Sequence, residues 1–500
     1  SSYSSLHIIM LEIQVTLPNG ITYDQPTGLF IGNEFVAGSA ERIETTDPYT
    51  RRRICAVEAA SSEDVDLAVE ISEKAFSGWK DVPGAERGRL LNKLADLMER
   101  DSDLLAAIEA TDNGKAFHLA KAVDVAGTVS CLRYYAGWSD KVFGQVVETG
   151  PNSLNYVRHE PLGVVGQIIP WNFPLLIWAR KIGPAVACGN VCIIKSAEQT
   201  PLSALYAAKL VREAGFPPGV INVLSGLGAV TGQAMSSHKR IRKLAFTGST
   251  PVGRMIMKAA AESNLKRVTL ELGGKSPNIV FADADFDKAV ESVAMGIFFN
   301  HGQNCCAGSR AFVEASIYDR FLEALKERVS KIKVGDPFDP ETFQGPQVSQ
   351  MQFDRIMGII EAGKKGGAKL VVGGHQHDLG GLFVQPTIFA DDSHGSLLQE
   401  EIFGPVLCVF RFESVRDVIH QANDTEYGLA SGVHTRDLNK AIKLANELEA
   451  GVVWVNQYGA LPAQLPMGGY KQSGIGRDLG AHALAEYTQT KTVQIAVGQI

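Results

Sequence analysis

The chain has 500 residues, 45% of them hydrophobic and 21% charged, with a formal net charge of -7. That length calls for two or three domains and buries enough surface to fold without disulfides or metals. The acidic balance, with no basic cluster beyond "TRRR" (50–53), a solvated strand edge or turn, argues against nucleic acid as a partner. No apolar run approaches the roughly 20 residues of a membrane span. The seven cysteines are scattered, with no C-x-x-C, which argues against a disulfide framework and structural zinc. "SSYSSLHIIMLEIQ" has no basic region followed by an apolar segment, so the expected location is cytoplasmic, with Met10 as a natural start.

In chain order, residues 60–140 are expected to be helical. "SSEDVDLAVEISEKAF" opens with serine and acidic residues, as a helix start should, and "RGRLLNKLADLMER" puts Leu90, Leu94 and Leu97 on one face. From 160 onward strands and helices alternate. "GVVGQII" and "NVCIIK" are strands and "PLSALYAAKLVREAG" is a helix, with proline in its first turn and glycine at its end. "GVINVLSG" and "IRKLAFTG" are strands, "PVGRMIMKAAAE" is a helix, and "RVTLELGG" is the closing strand. That order is the sequence form of a doubly wound parallel sheet. A second alternation spans about 273–470. It has strands at 278–283 and 310–315, a helix at 286–300, and a helix carrying Phe321, Leu325, Val329 and Ile332. The stretch 333–381 is polar and Gly-rich, and "GLFVQPTIFA", "VRDVIHQAND", "LASGVHT", "LNKAIKLANEL" and "VVWVN" follow it. "SLNYVRHEP" (153–161) and "TKTVQIAVGQI" (490–500) alternate like strands but have no partner in either domain.

The candidate chemistry lies in the loops that follow strands. "FTGSTPVG" puts Gly248 and Ser249 between a strand and a helix, where backbone N–H groups could hold a phosphate; a routine turn explains it about as well. Lys195 and Glu198 could hold ribose hydroxyls, although a surface ion pair is the simpler account. "IIPWNFPL" brackets an aromatic–amide–aromatic core with two prolines, a rigid segment that could fix Asn172 as a donor. In "FFNHGQNCCAGSR", Cys305 and Cys306 stand without an adjacent histidine or acidic residue. A nucleophile and a pair of small buried residues both remain open for them.

"PWNFP", "KSAEQTP", "FTGST", "ELGGKSPNIVF", "FFNHGQNCCAGSR", "EEIFGPV" and "GGYKQSGIGRD" occur in the order and nearly the spacing of the NAD(P)-dependent aldehyde dehydrogenase superfamily. The likeness runs from about residue 25 to the end. The chain most resembles the tetrameric cytosolic and mitochondrial type, including fungal members. The resemblance implies an α/β fold with three parts. Residues 10–139 and 160–272 would form a Rossmann-like NAD-binding domain and 273–470 the catalytic domain. Residues 140–159 and 485–500 would form a small β oligomerisation element that builds a homotetramer as a dimer of dimers.

It also implies the site. Cys305 would be the nucleophile, Glu271 the base for hydrolysis, and Asn172 with the Cys305 N–H the oxyanion donors. No metal is implied. Ile169, Pro170, Trp171, Lys195, Glu198, Gly228, Gly248, Ser249, Val252, Leu272, Gln352, Glu401 and Phe403 would bind the coenzyme, with Glu198 favouring NAD over NADP. The substrate, a small aldehyde, would lie among Phe173, Arg180, Gly127, Phe299, Asn304 and Leu461. Arg180 and Leu461 stand where aromatics are common, and Gly127 where a larger apolar residue is common, so a wider or more polar tunnel is expected. CoA-acylating relatives commonly lack a base at the position of Glu271, and crystallin-like relatives are non-catalytic; the retained residues favour a hydrolytic enzyme over both.

Overall fold

The structure, a computed structural model, describes residues 11–390 and 396–498. Residues 1–10, including the expected start at Met10, and 499–500 lie outside it. Among the described residues no helix is long and apolar enough to cross a membrane.

The first sheet has eight strands. Its core is five parallel strands: β1 (Val164–Ile168), β2 (Val191–Lys195), β3 (Ile221–Leu224), β4 (Lys243–Thr247) and β5 (Arg267–Glu271). Their spatial order is β5-β4-β1-β2-β3, all parallel neighbours, and beyond β3 the antiparallel strand Leu29–Ile31 pairs in turn with Glu34–Val36 at the sheet edge. β1 to β4 are buried at every position, which is why they read as continuous apolar runs. The chain order reverses at β1, so the crevice between the C-terminal ends of β1 and β4 is the topological switch point, where ligands bind in such sheets. Pro170–Phe173 leave β1 there, and Gly248–Ser249 leave β4.

The expected helices form. Leu202–Ala214 ends on Gly215 at φ 90°. Ser61 caps Ser62–Trp79 with a reciprocal Asp64 contact. Phe298 ends its helix because Asn300 and His301 turn left-handed, at φ 50° and 61°.

The second sheet has seven strands, in the order 369–372, 387–390, 406–412, 310–314, 277–280, 430–434, 452–455, all parallel but the first. Three features depart from the sequence reading. The polar stretch 333–381 holds a 16-residue helix, Gln350–Lys365, whose buried stripe is Phe353, Ile356, Ile360 and Gly363. Val406–Phe412, passed over in sequence, is a buried central strand. Ile332 lies beyond its helix, which ends at Ser330.

The two strands without partners in the domains pair with each other. Ser153–Pro161 runs antiparallel to Thr488–Ala496, and Gln145–Val146 adds a short third strand.

Candidate active site

Glu271 is the last residue of β5, and Cys305 sits on the loop after the left-handed turn at Asn300 and His301. The two meet: the Cys305 thiol donates to Glu271 Oε1 at 3.1 Å. Thr247 Oγ1, at the end of β4, holds the other carboxylate oxygen at 3.4 Å. Burial first, then the charge of Asp478, pushes the Glu271 carboxyl above its ordinary range, against the pull of Lys181 and Arg180. The Cys305 thiol is also held well above its usual value. The contact with Cys306 is foremost, followed by burial and Glu271. Cys306 is buried, its Sγ 4.0 Å from that of Cys305, and its N–H donates to Asn304 Oδ1 at 3.1 Å. The two cysteines differ in place: Cys305 lines the cavity and Cys306 lies in the core.

Asn172 is buried beside them. Its Nδ2 donates to the Gln303 carbonyl at 3.1 Å. Lys115 Nζ and Asn300 Nδ2 both donate to the Asn172 carbonyl, at 2.8 and 3.2 Å. Asn300 Nδ2 also reaches the Gln303 carbonyl at 2.9 Å. Lys115, Asn300 and Gln303 therefore tie the Asn172 loop to the cysteine loop. Sequence reasoning missed all three, because nothing in a chain marks contacts across 57 or 128 positions. Asp478, within "GGYKQSGIGRD", was likewise given no role; it forms a buried ion pair with Lys181 at 2.6 Å.

A cavity of about 190 Å³ leads to Cys305 and Glu271. Leu176, Ile177 and Arg180 line it from one face of the helix Pro174–Ala187, with Phe173 at the N-cap of that helix. Val123, Gly127, Ser130 and Cys131 line it from a second helical segment; Phe299, Asn304 and Leu461 come from loops. All six expected pocket residues therefore meet there. Phe173 and Phe299 stack, with ring centres 6.1 Å apart. Gly127 does not widen the cavity as expected. Leu176 leans into its place, and a Cβ on Gly127 would lie 2.8 Å from Leu176 Cδ1.

At the switch point, Lys195 Nζ lies 3.5 Å from Glu198 Oε2 and donates to the Ser196 carbonyl at 2.8 Å. Glu401 is anchored by the Gly274 N–H at 3.1 Å, and a side chain on Gly273 would strike its carboxylate at 2.3 Å. Burial raises the Glu401 pKa to about 7. Phe403 has φ 58°, and its carbonyl accepts from Gln352 Nε2 at 2.8 Å; its ring packs edge-on against Trp171, 5.3 Å away. Gln352 thus holds the backbone of Phe403. Leu272 packs against the helix Thr250–Ser263 at Gly253, where a Cβ would come within 2.7 Å of it. Val252, on the same helix, is exposed, and Gly228 has open space at its Cβ position.

The aldehyde dehydrogenase family model matches residues 35–493. The chain belongs to the aldehyde dehydrogenase family. It is 58% identical over 494 residues to an aldehyde dehydrogenase of Alternaria alternata, covering 98% of this chain and 99% of that one. Against human retinaldehyde dehydrogenase 3 it is 52% identical, covering 94% of this chain and 93% of the relative. The fold matches the NAD+ complex of the Bacillus cereus aldehyde dehydrogenase at TM-score 0.93 and 47% identity, over 94% of this chain and 97% of that one. As in the family, the enzyme is an aldehyde dehydrogenase that uses a pyridine nucleotide. The C-terminal edge of the sheet fits such a coenzyme: the hydroxyls of Ser196 and Ser225, buried just past the ends of β2 and β3, have no partner among the described residues.

Proposed function

We propose that the enzyme oxidises aldehydes to carboxylic acids with NAD+, through a covalent intermediate on Cys305. The observation that carries this reading is the 3.1 Å contact between the Cys305 thiol and Glu271 at the inner end of the cavity, beside the sheet's switch point. A carboxyl with a raised pKa in contact with a thiol is suited to take its proton. The thiolate then adds to the aldehyde carbon. A C–S bond forms, and the carbonyl pair moves to oxygen as an alkoxide. The second N–H of Asn172 Nδ2 and the Cys305 backbone N–H are the donors for that oxygen.

The bound coenzyme supplies a hydride acceptor, and loss of the hydride from carbon leaves an acyl thioester on Cys305. Glu271 first gives up the thiol proton to solvent; water then attacks the thioester carbon as Glu271 takes a proton from it, the C–S bond breaks, and the departing Cys305 thiolate recovers a proton as the acid leaves. The 3.1 Å contact leaves no room for water between sulfur and carboxylate, so Glu271 must swing aside between the two steps. The bound base favours hydrolysis over transfer to CoA.

Lys195 and Glu198 are assigned to the adenosine ribose, Gly248 and Ser249 to the pyrophosphate with Gly228 nearby, and Glu401 to the nicotinamide ribose. Ile169, Pro170, Trp171, Val252, Leu272 and Phe403 form the walls, with Gln352 behind Phe403. A carboxylate at 198 repels a 2′-phosphate, which favours NAD over NADP. A cytoplasmic location and a dimer-of-dimers assembly complete the reading.

The test is NADH absorbance on mixing enzyme, NAD+ and an aldehyde, with and without CoA. Turnover without CoA is expected. Cys305→Ala should abolish it while NAD+ binding survives, and Cys306→Ala should remain active. A dead Cys306→Ala beside a live Cys305→Ala refutes the assignment.

A further inference from the structure

Of the described residues lining the substrate cavity, only Arg180 and Glu271 are ionisable at neutral pH. Arg180 is 8% exposed. Its Nε has no hydrogen-bond partner, and its Nη1 reaches only the thioether sulfur of Met467, at 3.8 Å. Among the described residues, no oxygen accepts from this guanidinium. A buried guanidinium, with five N–H donors and a permanent charge, is costly to leave unpaired.

Nearby carboxylates are already committed. Asp124 pairs with Lys115 at 2.6 Å, and Asp478 pairs with Lys181 at 2.6 Å. Glu271 is held by the Cys305 thiol, and its raised pKa reduces the negative charge it can offer. Arg180 shares the cavity-lining face of its helix with Leu176 and Ile177, with Phe173 at the N-cap, so the charge stands in an otherwise apolar row on that helix. An apolar cavity with one uncompensated planar cation is complementary to a short apolar chain that ends in a carboxylate, which the guanidinium fork binds through two parallel hydrogen bonds.

We infer that Arg180 is the specificity determinant of this enzyme, and that its preferred substrates are short aldehydes carrying a carboxylate at the far end from the carbonyl. The inference rests on the assignment of Cys305 as the nucleophile at the other end of the cavity. The bond changes are those already described, and the product is a dicarboxylate.

The experiment compares kcat/KM for glyoxylic acid and for succinic, glutaric and adipic semialdehydes with that for the methyl ester of each, in the wild-type enzyme, Arg180→Lys and Arg180→Met. A charge-assisted hydrogen-bonded pair in a desolvated site is worth about tenfold to a hundredfold in discrimination. One member of the acid series should therefore exceed its ester by about that factor in the wild-type enzyme. Arg180→Met should lose the preference for the acid, read as the acid-to-ester ratio of kcat/KM so that any change common to both substrates cancels, and Arg180→Lys should fall between. Arg180→Met removes a buried charge while Asp124 and Asp478 keep their lysine partners, so the fold should tolerate it.

A second readout needs no turnover: titration of Cys305→Ala with the matching dicarboxylate should give a heat of binding that Arg180→Met abolishes. Esters oxidised as well as acids by the wild-type enzyme would overturn the inference and leave the proposed function standing. Equal losses for acid and ester in Arg180→Met would overturn it too, because they would mark a structural role. If neither acid nor ester is oxidised, both readings fail.

Discussion

Replacing Glu271 with glutamine tests the two-step chemistry most sharply. The amide keeps the size of the carboxyl, so the 3.1 Å contact with Cys305 and the 3.4 Å contact with Thr247 can persist. What disappears is the charge and the capacity to take a proton. Two opposite effects follow. The ionised carboxylate is one of the groups that raise the Cys305 pKa, so its removal lowers that pKa. The sign is then fixed: thiolate forms at lower pH in the variant, and the alkylation rate of Cys305 by iodoacetamide, plotted against pH, should shift to the acid side.

Hydrolysis of the thioester loses its general base, a contribution of about 10²–10⁴. Steady turnover should fall by about that factor while the first turnover survives, because the lowered Cys305 pKa lets solvent take the thiol proton in place of Glu271. Stopped-flow absorbance should therefore show a burst of NADH approaching stoichiometry with the subunits, followed by a slow phase. Intact-mass analysis during the slow phase should show an acyl adduct on the protein. Unchanged steady turnover in Glu271→Gln, or an alkylation profile shifted toward alkali, would refute the assignment of the base.

Glu198→Gln should raise the NADP:NAD ratio of kcat/KM about tenfold, since a partly exposed charge near the 2′-phosphate is worth about 1–2 kcal/mol; an NADP preference in the unmodified enzyme would contradict the role. The Glu401 carboxylate, with its pKa raised to about 7, should bind ribose hydroxyls better when ionised, so KM for NAD+ should fall as pH rises through that value. Glu401→Gln should abolish the inflection, and a variant that keeps it would exclude Glu401 as its source. Asp478→Asn leaves Lys181 buried without its 2.6 Å partner and should cost about 3–5 kcal/mol, measured as a shorter half-life on heating. Asp478 also helps raise the Glu271 pKa, so the acid limb of kcat should move to lower pH.

Much of the site was legible because it occupies strand ends. Buried parallel strands read as apolar runs, and the residues at or just past the ends of β1, β2, β4 and β5 include Asn172, Lys195 to Glu198, Gly248 to Ser249 and Glu271 to Leu272. The family resemblance supplied their roles; the periodicity alone supplied only their address. What escaped notice escaped for different reasons. The helix Gln350–Lys365 has a buried stripe at helical spacing, but polar and glycine-rich flanks obscure it. Val406–Phe412 follows directly on the segment that contains Glu401 and Phe403, and was absorbed into it. Lys115 and Asn300 act through backbone carbonyls far away in sequence, a contact that leaves no local pattern. Gly127 misled because cavity size belongs to both walls: a missing side chain on one is filled by Leu176 on the other.

The ribbon of Ser153–Pro161 and Thr488–Ala496 carries the assembly prediction, on firmer ground than two unpaired strands. Side chains alternate across a strand, so Leu154 and Tyr156 share a face with their cross-strand partners Ile495 and Val493. Val146, opposite Tyr156, and Val497, two residues beyond Ile495, extend that face. Val146, Leu154, Ile495 and Val497 are all exposed in the single chain, Val146 at 70%. Three strands with an uncovered apolar face and an open edge along Thr488–Ala496 are marginal alone and suited to pairing with a second copy. The expected outcome is a dimer closed by symmetry and a tetramer made by pairing of dimers. Each buried aliphatic side chain is worth about 1.5–3 kcal/mol. Leu154→Glu with Ile495→Glu should therefore lower the assembly state without disturbing either domain, because neither side chain belongs to a domain core. Removal of residues 490–500 should lower solubility as well. Light scattering at micromolar protein decides it: a monodisperse monomer for the intact chain, or an unchanged oligomer in the double variant, would refute the role of the ribbon.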